Sequence, residues 1–272
     1  MKRRVHTFGV LVAVAAAAMT GALRAAGSAP SSPGTAQTAQ TPPRVAAPTG
    51  PVPRLPDGTP DLSGLWIGGG PVGDLAEGLS PGETIPLLPA AAALMMTRLA
   101  KDDPQANCLP SGVPRSNPYP WRVVQTPAYK PATHIFVLYE GNIHSYRQIF
   151  MDGREHPEFL DPTWFGHSIG SWDDDTLVID TVGYNDKFWF DFRGHPHTEQ
   201  LHTIEGWTRR DLGHLVNEVT IDDPGAYSRP FTVTFVATLR PPGDELMEYI
   251  CQENNTAPAH LQGPAIPPGA PR

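Results

Sequence analysis

The stretch GHPHTEQLHTIE, residues 194–205, places three of the chain's ten histidines and two glutamates in one short segment. In extended backbone, side chains at i and i+2 point the same way, and Pro196 disfavours a helical conformation at His195. His195, His197 and Glu199 are therefore expected to project from one side. Two imidazoles and a carboxylate suit a divalent metal such as Zn, Fe, Mn or Cu. The same groups suit metal-free acid–base work, because imidazole titrates near neutral pH. A third reading makes them loop histidines bonded to backbone. His202 has the opposite parity to His197 and joins the group only through a turn or bulge. With His214 and Glu205 it is a candidate for a further metal ligand.

The connection before this stretch, TVGYNDKFWFDFRGHPH, carries Tyr184, Asn185, Asp186, Trp189 and Asp191. Aromatic and carboxamide groups on a loop at a barrel rim are common in ligand sites. The expected acid–base set is His195, His197, Asp186, Glu199 and His202. Tyr184, Asn185 and Trp189 are expected to contact a ligand, together with Tyr146 and Arg147 of the 143–150 segment. Nucleophilic catalysis finds no support: the chain has no GxSxG elbow, and its two cysteines, Cys108 and Cys251, are expected to be bridged.

The elements that must position these groups read as strands. THIFVLYE and IHSYRQIF flank Gly141-Asn142, a hairpin signal. FGHSIGSW and TLVIDTVG flank Asp173 to Asp175. LHTIEGWTRR and HLVNEVTID flank Asp211-Leu212-Gly213, and PFTVTFVATLR and DELMEYIC flank Pro241-Pro242-Gly243. With GLWI and WRVVQ this makes about ten strands. Successive short-turn hairpins predict a mainly β fold, an antiparallel meander closed into a barrel or sandwich, lipocalin-like in one form. One short helix is expected on the N-terminal side, within residues 86–104, with Pro89 in its first turn and Asp103-Pro104 as its stop.

The chain begins with Lys2, Arg3 and Arg4, then an apolar run from Phe8 to Met19 and small residues, the layout of a secretory signal peptide over 1–29. Residues 30–57, rich in Pro, Ala and Thr, read as a disordered tether, 58–256 as a single β-rich domain, and 257–272 as a disordered tail. The net charge is −8. Residues 1–29 carry four of the 20 basic residues and none of the 28 acids, so the processed chain stands at −12. An acidic chain without a basic run argues against nucleic acid.

Taken together, PDGTPDLSGLW, DTLVIDTVGYNDKFWFDFRGHPHTEQLH, VTIDDPGAY and EYICQEN resemble a family of exported bacterial proteins of unassigned function. The resemblance covers about residues 56–255. It implies export and one β-rich domain, and brings no reaction with it. Gly206, Trp207 and Asp174 depart from the pattern without changing that implication. The reading is a periplasmic or secreted enzyme with His and Asp/Glu as acid and base, of lyase, hydrolase or isomerase type, metal-assisted in one version. A small organic or carbohydrate-like ligand held in a barrel-type cavity is its expected partner, with no membrane span after processing. The alternatives are a non-catalytic lipocalin-like binder and an envelope-associated structural module.

Overall fold

The computed structural model describes residues 46–141 and 145–266. The expected signal peptide and the tether up to residue 45 lie outside the described residues, as does the tail beyond 266. Nine strands form a closed barrel among the described residues. They are β1 (Gly64–Gly68), β2 (Trp121–Thr126), β3 (His134–Tyr139), β4 (Ser145–Phe150), β5 (His167–Asp173), β6 (Thr176–Val182), β7 (His202–Arg209), β8 (His214–Asp222) and β9 (Phe231–Leu239). Each pairs with the next in sequence, and β9 pairs back on β1.

Closure explains the one departure from a pure antiparallel meander. A ring of strands that alternate in direction must contain an even number, so nine strands force a parallel pair. That pair is β4–β5. A parallel neighbour needs a return connection of about a dozen residues or more, and residues 151–166 supply it. Closure also corrects the fourth expected hairpin. Residues 244–251 alternate like a strand but form none, because both edges of β9 are taken by β8 and β1. The segment instead runs over the barrel, where the Met247 N–H donates to Glu140 Oε2 at 2.7 Å. Its end is fixed by the expected Cys108–Cys251 disulfide, with Cα atoms 5.5 Å apart.

The helix is α1 (Pro89–Thr97), with Pro89 in its first turn. It stops short of Asp103 because the C-terminal segment claims the next backbone groups. Ala265 N–H donates to Arg98 O, and Leu99 bridges Pro264. Residues 257–266, expected as part of a disordered tail, thus pack on the domain, with a short helix α2 (Ala257–His260). Residues 46–57, expected as tether, also reach the barrel. Leu212 N–H donates to Gly50 O at 2.9 Å, and Arg54 pairs with Asp175 at 2.5 Å. Low apolar content did not prevent this, since one backbone hydrogen bond and one ion pair supply the contact.

Alternate residues of the strands face inward, and the interior is filled by side chains. Trp66 stacks on Trp121, and Trp207 meets Trp121 at a tilt, with centroids 6.3 and 5.2 Å apart. Phe188, Phe190, Tyr227 and Phe231 belong to a second apolar cluster. A buried polar network shares this interior. Arg147 Nη2 lies 2.6 Å from Glu205 Oε1, with side-chain exposures of 1% and 0%. Arg147 also donates to Ser168 Oγ at 3.0 Å and Thr181 Oγ1 at 2.7 Å. Burial pulls the Arg147 pKa down, but Glu205, Tyr184 and Tyr139 outweigh it, and the guanidinium stays charged.

Two outcomes follow. Because the barrel closes through β1–β9, reduction of the disulfide should release residues 241–266 to amide exchange while strand amides stay protected. Hydrogen-exchange mass spectrometry reads this, and loss of protection throughout the strands would contradict it. Glu205→Ala leaves a buried unpaired guanidinium, so urea denaturation should show a loss of about 3–5 kcal/mol.

Candidate functional site

The β6–β7 connection, residues 183–201, folds around one carboxylate. Asp191 is 1% exposed. Its Oδ2 accepts from His195 Nδ1 at 2.5 Å and from the Leu75 N–H at 2.6 Å, and its Oδ1 accepts from the His195 N–H at 3.1 Å. Burial would raise its pKa, but these N–H donors outweigh that and hold it below the ordinary value. Local sequence explains the convergence. Residues 191–194 turn, with Gly194 N–H donating to Asp191 O at 3.3 Å. Gly194 takes φ +81°, and a Cβ there would sit 2.9 Å from Arg98 Cδ, so the position requires glycine. Phe190 N–H donates to His195 O at 3.0 Å and closes the loop.

Leu75 arrives from the other side. It begins a 3-10 turn, Leu75–Gly78, whose capping residue is Asp74, in a capping box with Glu77. Asp74 Oδ1 accepts from Ala76 N–H, and its Oδ2 pairs with Arg193 Nη1 at 2.6 Å.

These groups border a cleft of about 400 Å³. Leu79, Ile85, Leu87, Ala92, Met95 and Met96 supply its apolar wall, and Asp74, Arg193 and His195 its polar side. A cleft of this size, largely apolar with a few convergent polar groups, has the character of a small-molecule site. His195 has committed Nδ1 to Asp191, which leaves Nε2 as the nitrogen to serve the cleft. An imidazole held by a buried carboxylate and lining an apolar cleft can take up and return a proton.

The expected set does not assemble as one. The i, i+2 rule holds for a paired strand, and residues 194–198 join no ladder. His197 packs instead on Phe188, centroids 3.8 Å apart, and on Phe190 at 5.2 Å, with its Nδ1 3.2 Å from Thr198 O. Burial pushes its pKa down to about 4, so it is a neutral core group. Glu199 and Asp186 are exposed. The metal set His195, His197, Glu199 is therefore not gathered. The carboxylates that do approach His195, Asp74 and Asp191, come within 4.8 Å of it. Their oxygens already accept N–H donors, with the Arg193 cation beside them, which does not fit a metal ion.

The expected ligand contacts are divided as well. Tyr184 is inside the barrel, its hydroxyl 2.8 Å from Thr203 Oγ1, and burial pushes its pKa up to about 12. Asn185 shapes the loop: its Oδ1 accepts from the Lys187 N–H, and its N–H donates to Thr163 O. Trp189 is buried under Arg98, 4.6 Å from guanidinium to ring. Arg147 is paired with Glu205 inside, so Glu205 is no metal ligand here. Tyr146 is 61% exposed on the outer face. His214 bonds Asp211 at 3.0 Å, on the surface.

His202 belongs to a second cluster on the outer face of β5, β6 and β7. Its Nε2 lies 2.8 Å from Asp180 Oδ1, which His156 Nε2 also approaches at 3.2 Å, and His156 Nδ1 lies 2.8 Å from His167 Nδ1. Sequence reasoning missed Asp74, Arg193, Asp180, His156 and His167 as site residues. Asp191 lies on the same connection, and its spacing of four from His195 is the signal the sequence offers for this pair. No family model, curated protein or solved structure matches the chain.

The depressed His197 pKa fixes a pH dependence. Unfolded histidine binds its proton near pH 6.5 and folded His197 only near 4, so between these values the unfolded state holds more protons. Stability contributed by neutral His197 is complete above about pH 6.5 and falls as pH drops toward 4, by on the order of 3 kcal/mol. Denaturation of His197→Leu across this window should show a correspondingly flatter loss than the parent. Equal slopes would contradict the assignment.

Proposed function

We propose that the chain is an exported enzyme that moves protons on a small, largely apolar molecule bound in the cleft beside α1. His195 is the acid–base group, Asp191 positions it and offsets its charge when protonated, and Arg193 with Asp74 forms the polar end. The observation that carries this reading is the His195–Asp191 contact of 2.5 Å on the wall of a 400 Å³ cleft. It supports a lyase, hydrolase or isomerase type of step, in which the protein supplies a base and later returns the proton.

Export to the periplasm or medium is supported by the charged start and apolar run of residues 2–19 and by the disulfide. No helix among the described residues is long and apolar enough to cross a membrane. A lipocalin-like binder would carry its ligand in the barrel, and that interior is filled with side chains. A filled barrel also suits an envelope module, but such a module has no use for an imidazole held on a buried carboxylate beside an apolar cleft.

The test is turnover of p-nitrophenyl esters of short to medium acids, γ-lactones and β-hydroxy ketones by the purified processed chain. His195→Gln should lower the rate by about 10²–10⁴-fold with the melting temperature little changed, Asp191→Asn should also lower it, and dialysis against EDTA should not. Failure to turn over any of these classes, or an unchanged rate in His195→Gln, would overturn the proposal.

A further inference from the structure

The forced parallel pair leaves a gap in the barrel wall. β4 and β5 pair over two positions only, Ile149 with Ser168 and Phe150 with Ile169. Ahead of these, Ser145–Gln148 and residues 163–167 diverge and enclose an opening of about 360 Å³. Its lining mixes the two faces of the wall. Tyr146, Phe150 and His167 belong to the outside, Arg147 and Ser168 to the interior, and Trp164 is half-buried with one side packed on the core.

The chemistry of this opening is specific. Its rim is aromatic. Phe150 stacks on His167 with centroids 5.1 Å apart, and Tyr146 stands 61% exposed. Its floor is polar and without net charge, because Glu205 balances Arg147. Two interior groups beside it lack an ordinary hydrogen bond: Arg147 Nη1 and the Tyr139 hydroxyl are both buried without a partner of normal geometry, although the two side chains interact, and an acceptor in the opening would satisfy Nη1 more fully. A free anion would meet a guanidinium already neutralised by a carboxylate. A purely apolar ligand would leave Nη1 unmatched.

A pyranose meets all these conditions, since its C–H faces pack on aromatic rings and its hydroxyls both donate and accept. We propose that the opening between β4 and β5 is a second binding site, for the neutral ring of a saccharide. Tyr146 and Trp164 supply the packing surface, and Arg147 with Ser168 receives the hydroxyls. His167 adds a ring nitrogen at the rim and is held in place by the hydrogen-bonded series His167, His156, Asp180, His202. Burial and the nearby His156 and Arg154 keep His167 below its ordinary pKa, and with Nδ1 engaged by His156 its Nε2 is the nitrogen left for a ligand hydroxyl. The site is independent of the His195 cleft, and its success or failure leaves that reading untouched.

Saturation-transfer NMR on the full processed chain tests it, with maltose, cellobiose, xylobiose and chitobiose as probes and inorganic phosphate as the charged competitor. At least one disaccharide should receive saturation at its ring C–H protons. Tyr146→Ala, at an exposed position that should not disturb folding, should weaken that binding at least tenfold. Tyr146→Phe should restore it, and phosphate should not compete. Turnover in the His195 cleft should be unchanged in Tyr146→Ala. No transfer to any of the four probes, equal transfer in Tyr146→Ala, or displacement by phosphate would overturn the proposal.

Discussion

Much of this molecule's candidate chemistry turns on where one buried carboxylate finds its hydrogen bonds. Asp191 is removed from water, and a bare carboxylate there would be costly. Three N–H groups satisfy it: one from the turn at Leu75, and the backbone and ring of His195. Each bond also has a structural result. The first ties the Leu75–Gly78 turn to the β6–β7 connection, far away in sequence. The others close the loop and fix which imidazole nitrogen is left for the cleft. The aromatic residues of that connection, Phe188 and Phe190, bury themselves in the core, and this carries the carboxylate out of water with them.

Barrel closure is the second constraint. An odd strand count requires a parallel pair, the pair requires a long return, and the return carries His156 and leads through Trp164 to His167. The pairing of β4 with β5 covers two positions, fewer than any other strand pair among the described residues, and the interior side chains Arg147 and Ser168 line the opening there. The interior is packed around the three tryptophans.

Local signals made most strands legible. Gly141-Asn142, the Asp173–Asp175 run and Asp211–Gly213 each mark a real hairpin, and Asp174 takes the positive φ of +50° that such a turn uses. The false strand at 244–251 has the same local pattern as the true ones. Only the non-local β1–β9 pairing excludes it, and alternation along the chain carries no trace of that pairing. The site was legible to a similar depth. The 183–201 connection stood out by composition, and His195 within it by type. Its partner was missed because the i, i+2 rule was applied to residues that pair with no strand, whereas the turn at 191–194 brings i and i+4 together. Asp74 and Leu75 could not be seen from the sequence, since the fold brings them to Asp191 from more than a hundred positions away. The Asp180, His167 and His202 cluster needed the register of three strands before their shared outer face could be recognised.

The claim that Asp191 sets the working state of His195 can be read directly from the ring. Imidazole ¹⁵N NMR of the neutral form, with His195 assigned by comparison with His195→Gln, distinguishes the two tautomers. Nδ1 should carry the proton and Nε2 should not, with this preference lost in Asp191→Asn. A protonated Nε2 with a bare Nδ1, or a tautomer unaffected by Asp191→Asn, would contradict it.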